Sequence, residues 1–191
     1  MHTDDAEPSS LVPASDVPRA GAGRFRLDSR RSLVGFSVRH LTGRVHGTFM
    51  RVSGAVSYDP RRPDTTTVRV VIRAASVVTH NPTRDARLRS PEFFDARRFP
   101  EITFVSTSAR RAGRRLEVTG DLTIRGVTCP VALTVGKLRT SGARATEINA
   151  VMHAVLRRSD FGVGPSSVLE GSGLLIGDEI TVDIDLELVG D

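Results

Sequence analysis

The sequence predicts an all-β fold, an eight-stranded antiparallel β-barrel with a short helical insert near residues 80–95. Most of the chain consists of runs in which apolar and polar side chains alternate, as in strands with one dry face and one wet face. Short turns join most of these runs, and the sequence contains no helices that could cover the dry face. A sheet that lacks such a cover removes its unpaired edges most simply by closing on itself.

One domain is expected over residues 24–191, because a chain of 191 residues is long enough for a single closed core. Residues 1–23 are rich in proline, serine, alanine and acidic residues, and this composition predicts a disordered tail. The tail lacks the basic start and apolar core of a signal peptide, and no run approaches the roughly 18 apolar residues of a membrane span. We therefore expect a soluble protein that stays in the cytoplasm.

The alternating runs begin at Arg24 and continue to Val189. The segment Arg44–Asp59 is too long for one regular strand, and its apolar residues change phase near Met50 and Arg51, which predicts a bulge or a sharp bend. Counting this bent segment once gives about eight long strands. A short run lies at residues 24–28, and the longer runs lie at residues 33–39, 44–59, 68–77, 101–109, 116–125, 127–138, 146–157 and 178–189.

The helical insert has clear start and stop signals. Asn81 is placed as the N-cap, Pro82 takes the first helical position, and the Asp85 carboxylate falls in the first turn, near the positive end of the helix dipole. Pro91 ends the helix. Three phenylalanines follow within the next eight residues, at Phe93, Phe94 and Phe99.

Small residues on the inward phase leave room inside the predicted barrel. An eight-stranded barrel has an interior just wide enough to be filled by side chains or to hold one slim ligand. The phenylalanine-rich insert either plugs that room or lines and gates it, and the spacing alone does not choose between a packed core and an open one. The small inward residues are Gly47, Gly54, Gly120, Ala150 and Ala154.

The net charge of +5 rests almost entirely on arginine, with Lys137 as the only lysine. The arginines are spread along the chain, and aromatic residues are not interleaved with them as a base-stacking surface would require. We therefore expect a solvated basic surface and no nucleic-acid partner. A weak contact with an anionic membrane surface stays open.

No cofactor or metal site is predicted. The histidines are not paired at a metal-binding spacing, and the single cysteine, Cys129, excludes an intramolecular disulfide and a cysteine-based metal cluster. Motifs for phosphate binding, dinucleotide binding and serine nucleophiles are absent. His80, Arg84 and Asp85 could suggest an acid–base site, but a helix-start carboxylate with a neighbouring arginine is the simpler interpretation. These observations favour a binding protein over an enzyme.

Several blocks of the sequence resemble the YceI-like family, in order and at the spacings expected of it. The resemblance covers about residues 24–189. The blocks are V-G-F-S-V-R-H-L (34–41), G-T-F (47–49) with G-A-V-S-Y-D (54–59), T-x-N-x-x-R-D-x-x-L-R-S-P-E-F-F-D (79–95), F-P-E-I-T-F-V-S-T (99–107), V-T-G-D-L-T-I-R-G-V-T-C-P-V (118–131) and R-S-D-F-G (158–162).

The resemblance implies an extended, lipocalin-like barrel whose interior is a long apolar tunnel rather than a packed core. Members of the family bind polyisoprenoids or other long-chain lipids and amphiphiles there, and the Phe93–Phe94 segment is expected to border the ligand. This chain departs from the family in two residues. Arg87 stands where many members have histidine, and Phe25 stands where many have tryptophan. Many relatives are also exported.

We expect a non-enzymatic carrier that binds, sequesters or transports one long-chain apolar ligand, such as an isoprenoid or a fatty-acid-like chain. Removing the chain from water would drive binding, offset by the entropy of straightening it. The predicted lining residues are Phe36, Val38, Phe49, Val56, Ile72, Phe93, Phe94, Phe99, Ile102, Phe104, Leu122, Ile124, Met152, Leu156 and Phe161.

Two alternatives stay open at this point. One is an enzyme acting on a lipid-like substrate, with His40, Arg84 or Asp85 as its candidate residues. The other is a stress or interaction protein whose barrel is a filled scaffold with a partner on the basic surface. The sequence does not indicate the oligomeric state, and a homodimer is one option.

Overall fold

The computed structural model describes residues 23–40, 43–113, 115–141, 146–165 and 176–191. Residues 1–22 of the predicted tail lie outside the described residues, so the disorder of the tail stays a prediction. Gly23 is the first residue of the first strand. None of the described helices is long and apolar enough to cross a membrane.

The described residues form eleven strands and one α-helix, together with three short 3-10 turns. The helix α1 spans Pro82–Arg89. The strands are β1 (Gly23–Leu27), β2 (Leu33–His40), β3 (Gly43–Phe49), β4 (Val52–Tyr58), β5 (Thr67–Arg73), β6 (Val77–Val78), β7 (Glu101–Ala112), β8 (Arg115–Ile124), β9 (Val127–Ser141), β10 (Glu147–Arg157) and β11 (Ile176–Gly190).

These strands close into an eight-stranded antiparallel barrel, because three pairs of them each run as one interrupted strand. The long strand β11 pairs with β1 near its C-terminal end and with β2 nearer its N-terminal end. On the next position of the ring, β4 pairs with β1 and β3 pairs with β2. Strands β5 and β6 follow in the same way, and β7 to β10 complete the ring. The predicted fold class is confirmed.

The predicted bend at Met50 and Arg51 is present, since β3 ends at Phe49 and β4 begins at Val52. The neighbouring strand breaks at the same level. The backbone N–H of Met50 donates to the carbonyl oxygen of Ser76 at 3.1 Å, and that of Arg51 donates to the Ser76 hydroxyl at 3.1 Å. The prediction of one continuous strand over residues 68–77 is therefore wrong. A 3-10 turn at Ala74–Ser76 divides this segment. The turn places the carbonyl and hydroxyl oxygens of Ser76 where they accept the hydrogen bonds from Met50 and Arg51.

Helix α1 begins and ends as predicted. The side chain of Asn81 accepts a hydrogen bond from the backbone N–H of Arg84 at 3.0 Å, which caps the first turn. At the other end Ser90 is extended, as expected for a residue that precedes a proline, and its hydroxyl donates to the carbonyl of Arg87 at 2.7 Å. The helix stops there, and the chain turns toward Phe93.

Phenyl rings fill the space beside two of the inward glycines. A Cβ atom on Gly47 would lie 2.3 Å from the ring of Phe36, and one on Gly120 would lie 2.5 Å from the ring of Phe104. The expectation that these glycines leave empty space is therefore wrong. Each glycine instead allows a ring on the neighbouring strand to lie against the barrel wall.

We predict that Gly120→Ala destabilises the barrel, because the new methyl group would also lie 2.5 Å from the carbonyl oxygen of Val105, which cannot move without shifting the backbone. Overpacking of this kind costs about 1–3 kcal/mol in the free energy of unfolding. Urea unfolding of the purified variant measures this change. Gly136→Ala is the matched control, because the nearest atom to its new methyl group is 3.9 Å away. Equal stability of the two variants would contradict the packing described here.

Candidate ligand-binding cavity

One end of the barrel encloses a cavity of about 530 Å³. This volume lies within the range of about 300–1,000 Å³ that is typical of small-molecule sites. The inward residues of β2, β3, β5 and β7 to β11 form its wall, and α1 with the following turn forms one side. The barrel therefore encloses a cavity and is not a filled scaffold, which removes the filled-barrel alternative.

The wall is almost entirely apolar because the inward phase of each strand carries aliphatic or aromatic residues. Strand β11 shows this most simply, with Ile180, Val182, Ile184 and Leu186 at every second position on the cavity. No carboxylate, serine or cysteine is found among the described residues of the wall. Such a surface offers an apolar chain no polar partner along most of its length.

The polar residues of the wall belong to one rim of the cavity. His40 is the last residue of β2, and Arg158 follows the last residue of β10. These two strand ends meet at the same end of the barrel, because His40 pairs with Ile176 and Arg158 Nε donates to the carbonyl of the adjacent Gly177 at 3.1 Å. Helix α1 and its cap add the remaining polar residues of the rim, which are Asn81, Thr83, Arg84 and Arg87.

A cluster of phenylalanine rings lines one side of the cavity. The ring centroids of Phe36 and Phe49 are 5.7 Å apart, and those of Phe49 and Phe94 are 5.6 Å apart. Phe93 is buried, and the guanidinium group of Arg87 lies 5.5 Å from its ring centroid. Of the two roles considered for the insert, the structure shows the lining role: Phe93 and Phe94 both form part of the wall, and the cavity beside them stays open.

Arginine side chains and one buried carboxylate fasten α1 to the barrel. Asp85 Oδ1 accepts hydrogen bonds from the backbone N–H and the hydroxyl of Thr79 at 2.8 and 2.6 Å. Arg84 donates to the Thr79 hydroxyl at 2.7 Å and to its carbonyl at 2.9 Å. Arg89 donates to the carbonyls of Ala75 and Val77 at 2.9 and 2.8 Å. Asp85 is therefore more than a helix-start carboxylate, since it joins α1 to the chain segment that leaves β6.

Arg87, the residue that replaces the family histidine, has a partner of its own. Its guanidinium group makes two hydrogen bonds to the Glu92 carboxylate, at 2.9 and 2.7 Å. These hydrogen bonds lower the pKa of Glu92 even though burial opposes that change. The pair connects α1 to the turn that carries Phe93, so the arginine holds the phenylalanine-rich wall in place.

The predicted lining residues lie on the wall of this cavity with two exceptions. Val56 points into the barrel as expected but lines a separate, smaller void at the other end. Phe99 lies outside both, with its ring against Gly126 and the guanidinium of Arg98 5.2 Å from its centroid. It sits in the turn before β7, where no strand period applies. Ligand contact by any of these residues stays a prediction.

Sequence reasoning missed part of the wall although the signal was present. The alternating residues of β11, and Val131 and Leu133 on β9, follow the same two-residue period as the predicted lining residues. The polar rim carries no such signal. Arg158 is placed there by hydrogen bonds to the carbonyls of Val163 and Pro165 at 2.9 and 3.1 Å, which depend on the fold of the following loop.

The candidate catalytic residues of the enzyme alternative do not form a cluster in the cavity. His40 and Arg84 lie on the rim, whereas Asp85 is not part of the wall and directs its carboxylate to Thr79. Among the described residues, no group of three or more histidine, cysteine, aspartate and glutamate side chains is arranged to hold a metal ion. The arrangement can enclose an apolar molecule.

Comparison with known proteins identifies relatives of the chain. A family model described as the YceI-like domain matches residues 25–188. Protein YceI of Salmonella newport (strain SL254) is 38% identical over 117 residues, which are 60% of this chain and 61% of that protein. Protein YceI of Salmonella arizonae gives the same values. The match thus spans less than two thirds of the length of these curated relatives.

Solved structures share the fold. BcnA of Burkholderia cenocepacia superposes with a TM-score of 0.76 at 25% identity, over 84% of this chain and 98% of that chain. A YCEI protein of Campylobacter jejuni superposes with a TM-score of 0.63 at 25% identity, over 100% of this chain and 94% of that chain. A polyisoprenoid binding domain from Saccharophagus degradans superposes with a TM-score of 0.66 at 18% identity, over 89% of this chain and 99% of that chain.

The Asp85 carboxylate gives the protein a predictable dependence on pH. Burial alone would raise its pKa, but the hydrogen bonds from Thr79 and the guanidinium groups of Arg89 and Arg84 lower the pKa overall. A group whose pKa is lowered by folding stabilises the protein above its unfolded-state pKa of about 3.9, and this contribution disappears as the pH falls through the folded-state pKa. Asp85→Asn should therefore lose about 1–3 kcal/mol of unfolding free energy at pH 7.

Urea unfolding of Asp85→Asn and of the unmodified protein between pH 7 and pH 3 tests this prediction. The difference between the two should be largest near neutral pH and should shrink below about pH 4. Asp121→Asn, which changes an exposed carboxylate on β8, should stay within about 0.5 kcal/mol of the unmodified protein. A difference for Asp85→Asn that does not change with pH would contradict the electrostatic account.

Proposed function

The chain belongs to the YceI-like domain family, and we propose that it binds, sequesters or transports one long-chain apolar ligand, a polyisoprenoid or a similar lipid or amphiphile. The observation that carries this proposal is the cavity of about 530 Å³, whose wall is apolar except at one rim. A site of this kind selects a ligand by its length and girth more than by specific polar contacts.

Desolvation supplies the free energy of binding. Each Å² of apolar surface removed from water contributes about 25 cal/mol, from which the costs of association and of ordering the chain are subtracted. A ligand therefore gains affinity along its whole apolar length inside the barrel.

The volume limits how much of a ligand the barrel can enclose. An apolar cavity of about 150 Å³ accommodates benzene, so a cavity of about 530 Å³ accommodates on the order of twenty carbon atoms. A longer chain would fold back or leave one end outside. The rim residues, including His40, Arg84 and Arg158, provide the only polar surroundings among the described wall residues. An amphiphile would thus bind with its polar end at this rim.

Two further points support binding rather than catalysis. A structural neighbour is described as a polyisoprenoid binding domain, and it shares the barrel fold. The described wall residues include no carboxylate, and the Asp85 carboxylate is occupied by Thr79. An enzyme acting on a lipid-like substrate would need a general base beside its substrate, and none of the described wall residues other than His40 could act as one.

The first test identifies a ligand that remains bound during purification. The purified protein is extracted with organic solvent, and the extract is analysed by mass spectrometry beside an extract of the same amount of an unrelated purified protein. We expect a long-chain apolar molecule that is enriched over this control. Repeated recovery of no lipid-like molecule from either untreated or lipid-exposed protein would overturn the proposal.

The second test fills the cavity from its wall. Ala154 lines the cavity, whereas the next residue, Val155, points outward and is 52% exposed. Ala154→Phe should weaken the binding of the neutral fluorescent probe N-phenyl-1-naphthylamine at least about tenfold, a loss of roughly 1.4 kcal/mol. Val155→Phe is the matched control and should bind the probe as the unmodified protein does.

Circular dichroism and thermal unfolding of both variants show whether the barrel is retained, because overpacking can itself destabilise the protein by about 1–3 kcal/mol. If Ala154→Phe stays folded and binds the probe with unchanged affinity, the probe does not use this cavity and the assigned site is wrong.

A further inference from the structure

The barrel contains a second, smaller void beyond the main cavity. Its volume is about 30 Å³, and its wall is also formed by inward strand residues. Each strand that lines both spaces passes from one to the other in the same order along the barrel. On β10, for example, Ala150 faces the small void and Ala154 faces the main cavity, with Met152 between them. The two spaces therefore follow one another along the barrel axis.

Three residues belong to the walls of both spaces, and they separate them. These are Val68, Met152 and Leu186. All three are buried, with exposed fractions of 7%, 6% and 1%. Met152 and Leu186 are neighbours on the adjacent strands β10 and β11, since Leu186 pairs with Ala150 and Met152 pairs with Ile184. We call these three residues the partition.

The partition spans the barrel from one side to the other. Counting β5 and β6 as one strand, β5 lies four positions from β10 in the eight-stranded ring, so Val68 and Met152 belong to opposite strands. The ring of Phe104 lies over Gly120 at the same level, between Val118 on the small void and Leu122 on the main cavity. The main cavity therefore ends at this layer and does not continue as a tunnel through the barrel.

Met152 is the one member of the partition that can move without strain. Valine and leucine have branched side chains with few accessible rotamers in a packed core, whereas methionine is unbranched and adapts to irregular spaces. The small void lies directly beside Met152, so its side chain has room on the side away from the main cavity. A ligand chain that reaches the partition meets an adaptable side chain and not a rigid wall.

We propose that the partition, and Met152 in particular, determines the greatest length of apolar chain that the protein binds. This inference rests on the proposed function, because it concerns the far end of the same ligand. A chain enters from the polar rim and extends down the barrel until its tip reaches Met152. Carbon atoms beyond that length stay at the rim and contribute no further burial.

The proposal predicts a break in the dependence of affinity on chain length. Each additional methylene group buried in the cavity should raise the affinity about fourfold, and the gain should stop at the length that reaches the partition. Met152→Ala removes three heavy atoms from the partition and so opens a path between the two spaces. The break should then move to chains that are longer by about three carbon atoms or more.

The experiment measures the binding of n-alkan-1-ols of increasing length by displacement of N-phenyl-1-naphthylamine. It compares the unmodified protein with Met152→Ala and with two controls. Met152→Leu keeps about the same side-chain volume and should not move the break to longer chains. Met50→Ala changes a methionine that is 62% exposed at the bend between β3 and β4, and it should have no effect. Val68→Ala opens the partition from the opposite wall and provides an independent variant if Met152→Ala does not fold.

The outcomes separate this inference from the proposed function. A break that moves to longer chains in Met152→Ala or Val68→Ala, and in neither control, supports the partition. If the unmodified protein binds the alkanols but the folded opening variants keep the same break, the inference is wrong and the proposed function stands. If the unmodified protein binds neither the alkanols nor the probe, both are overturned.

Discussion

The closure of the sheet by β11 is the constraint on which the rest of the structure depends. This strand of 15 residues pairs with β10 along most of its length, and on its other side it pairs with β2 and then with β1. Because the resulting ring has no open edge, every side chain on the inward phase must be accommodated inside it. The sizes of these side chains then decide which part of the barrel is filled and which part stays open.

Phenylalanine has an unexpected role in keeping part of the barrel open. The rings of Phe36 and Phe104 lie over Gly47 and Gly120, so they occupy space along the wall that a side chain at either glycine would otherwise fill. Phe93 and Phe94 close one side, where they are held by the contacts of α1. At the other end, medium-sized aliphatic residues from opposite strands meet and fill the interior, leaving a void of only about 30 Å³. Aromatic residues that pack beside glycines therefore line the open cavity, and aliphatic residues from opposite strands fill the other end of the barrel.

Much of the fold could be predicted because its signals are local. The alternation of side chains located the strands, the change of phase located the bend at Met50, and the Asn81–Pro82 pair located the start of α1. The features that were missed depend on groups that are distant in the sequence. The strand is interrupted at Ser76, which accepts hydrogen bonds from the backbone N–H groups of Met50 and Arg51 on the neighbouring strand. Val56 lies on the expected inward face but beyond the partition. A two-residue period shows which side a residue faces, but it does not show which residues meet across the ring.

The partition also has a consequence for the kinetics of exchange. Under the proposed function, a chain that enters at the polar rim and ends at the partition leaves a second molecule no path past it along the barrel axis. The resident chain must withdraw before another can enter, so replacement is dissociative, and its rate stays the same however concentrated the competitor is. A carrier of this kind would release its ligand at its own dissociation rate, even in the presence of excess free ligand.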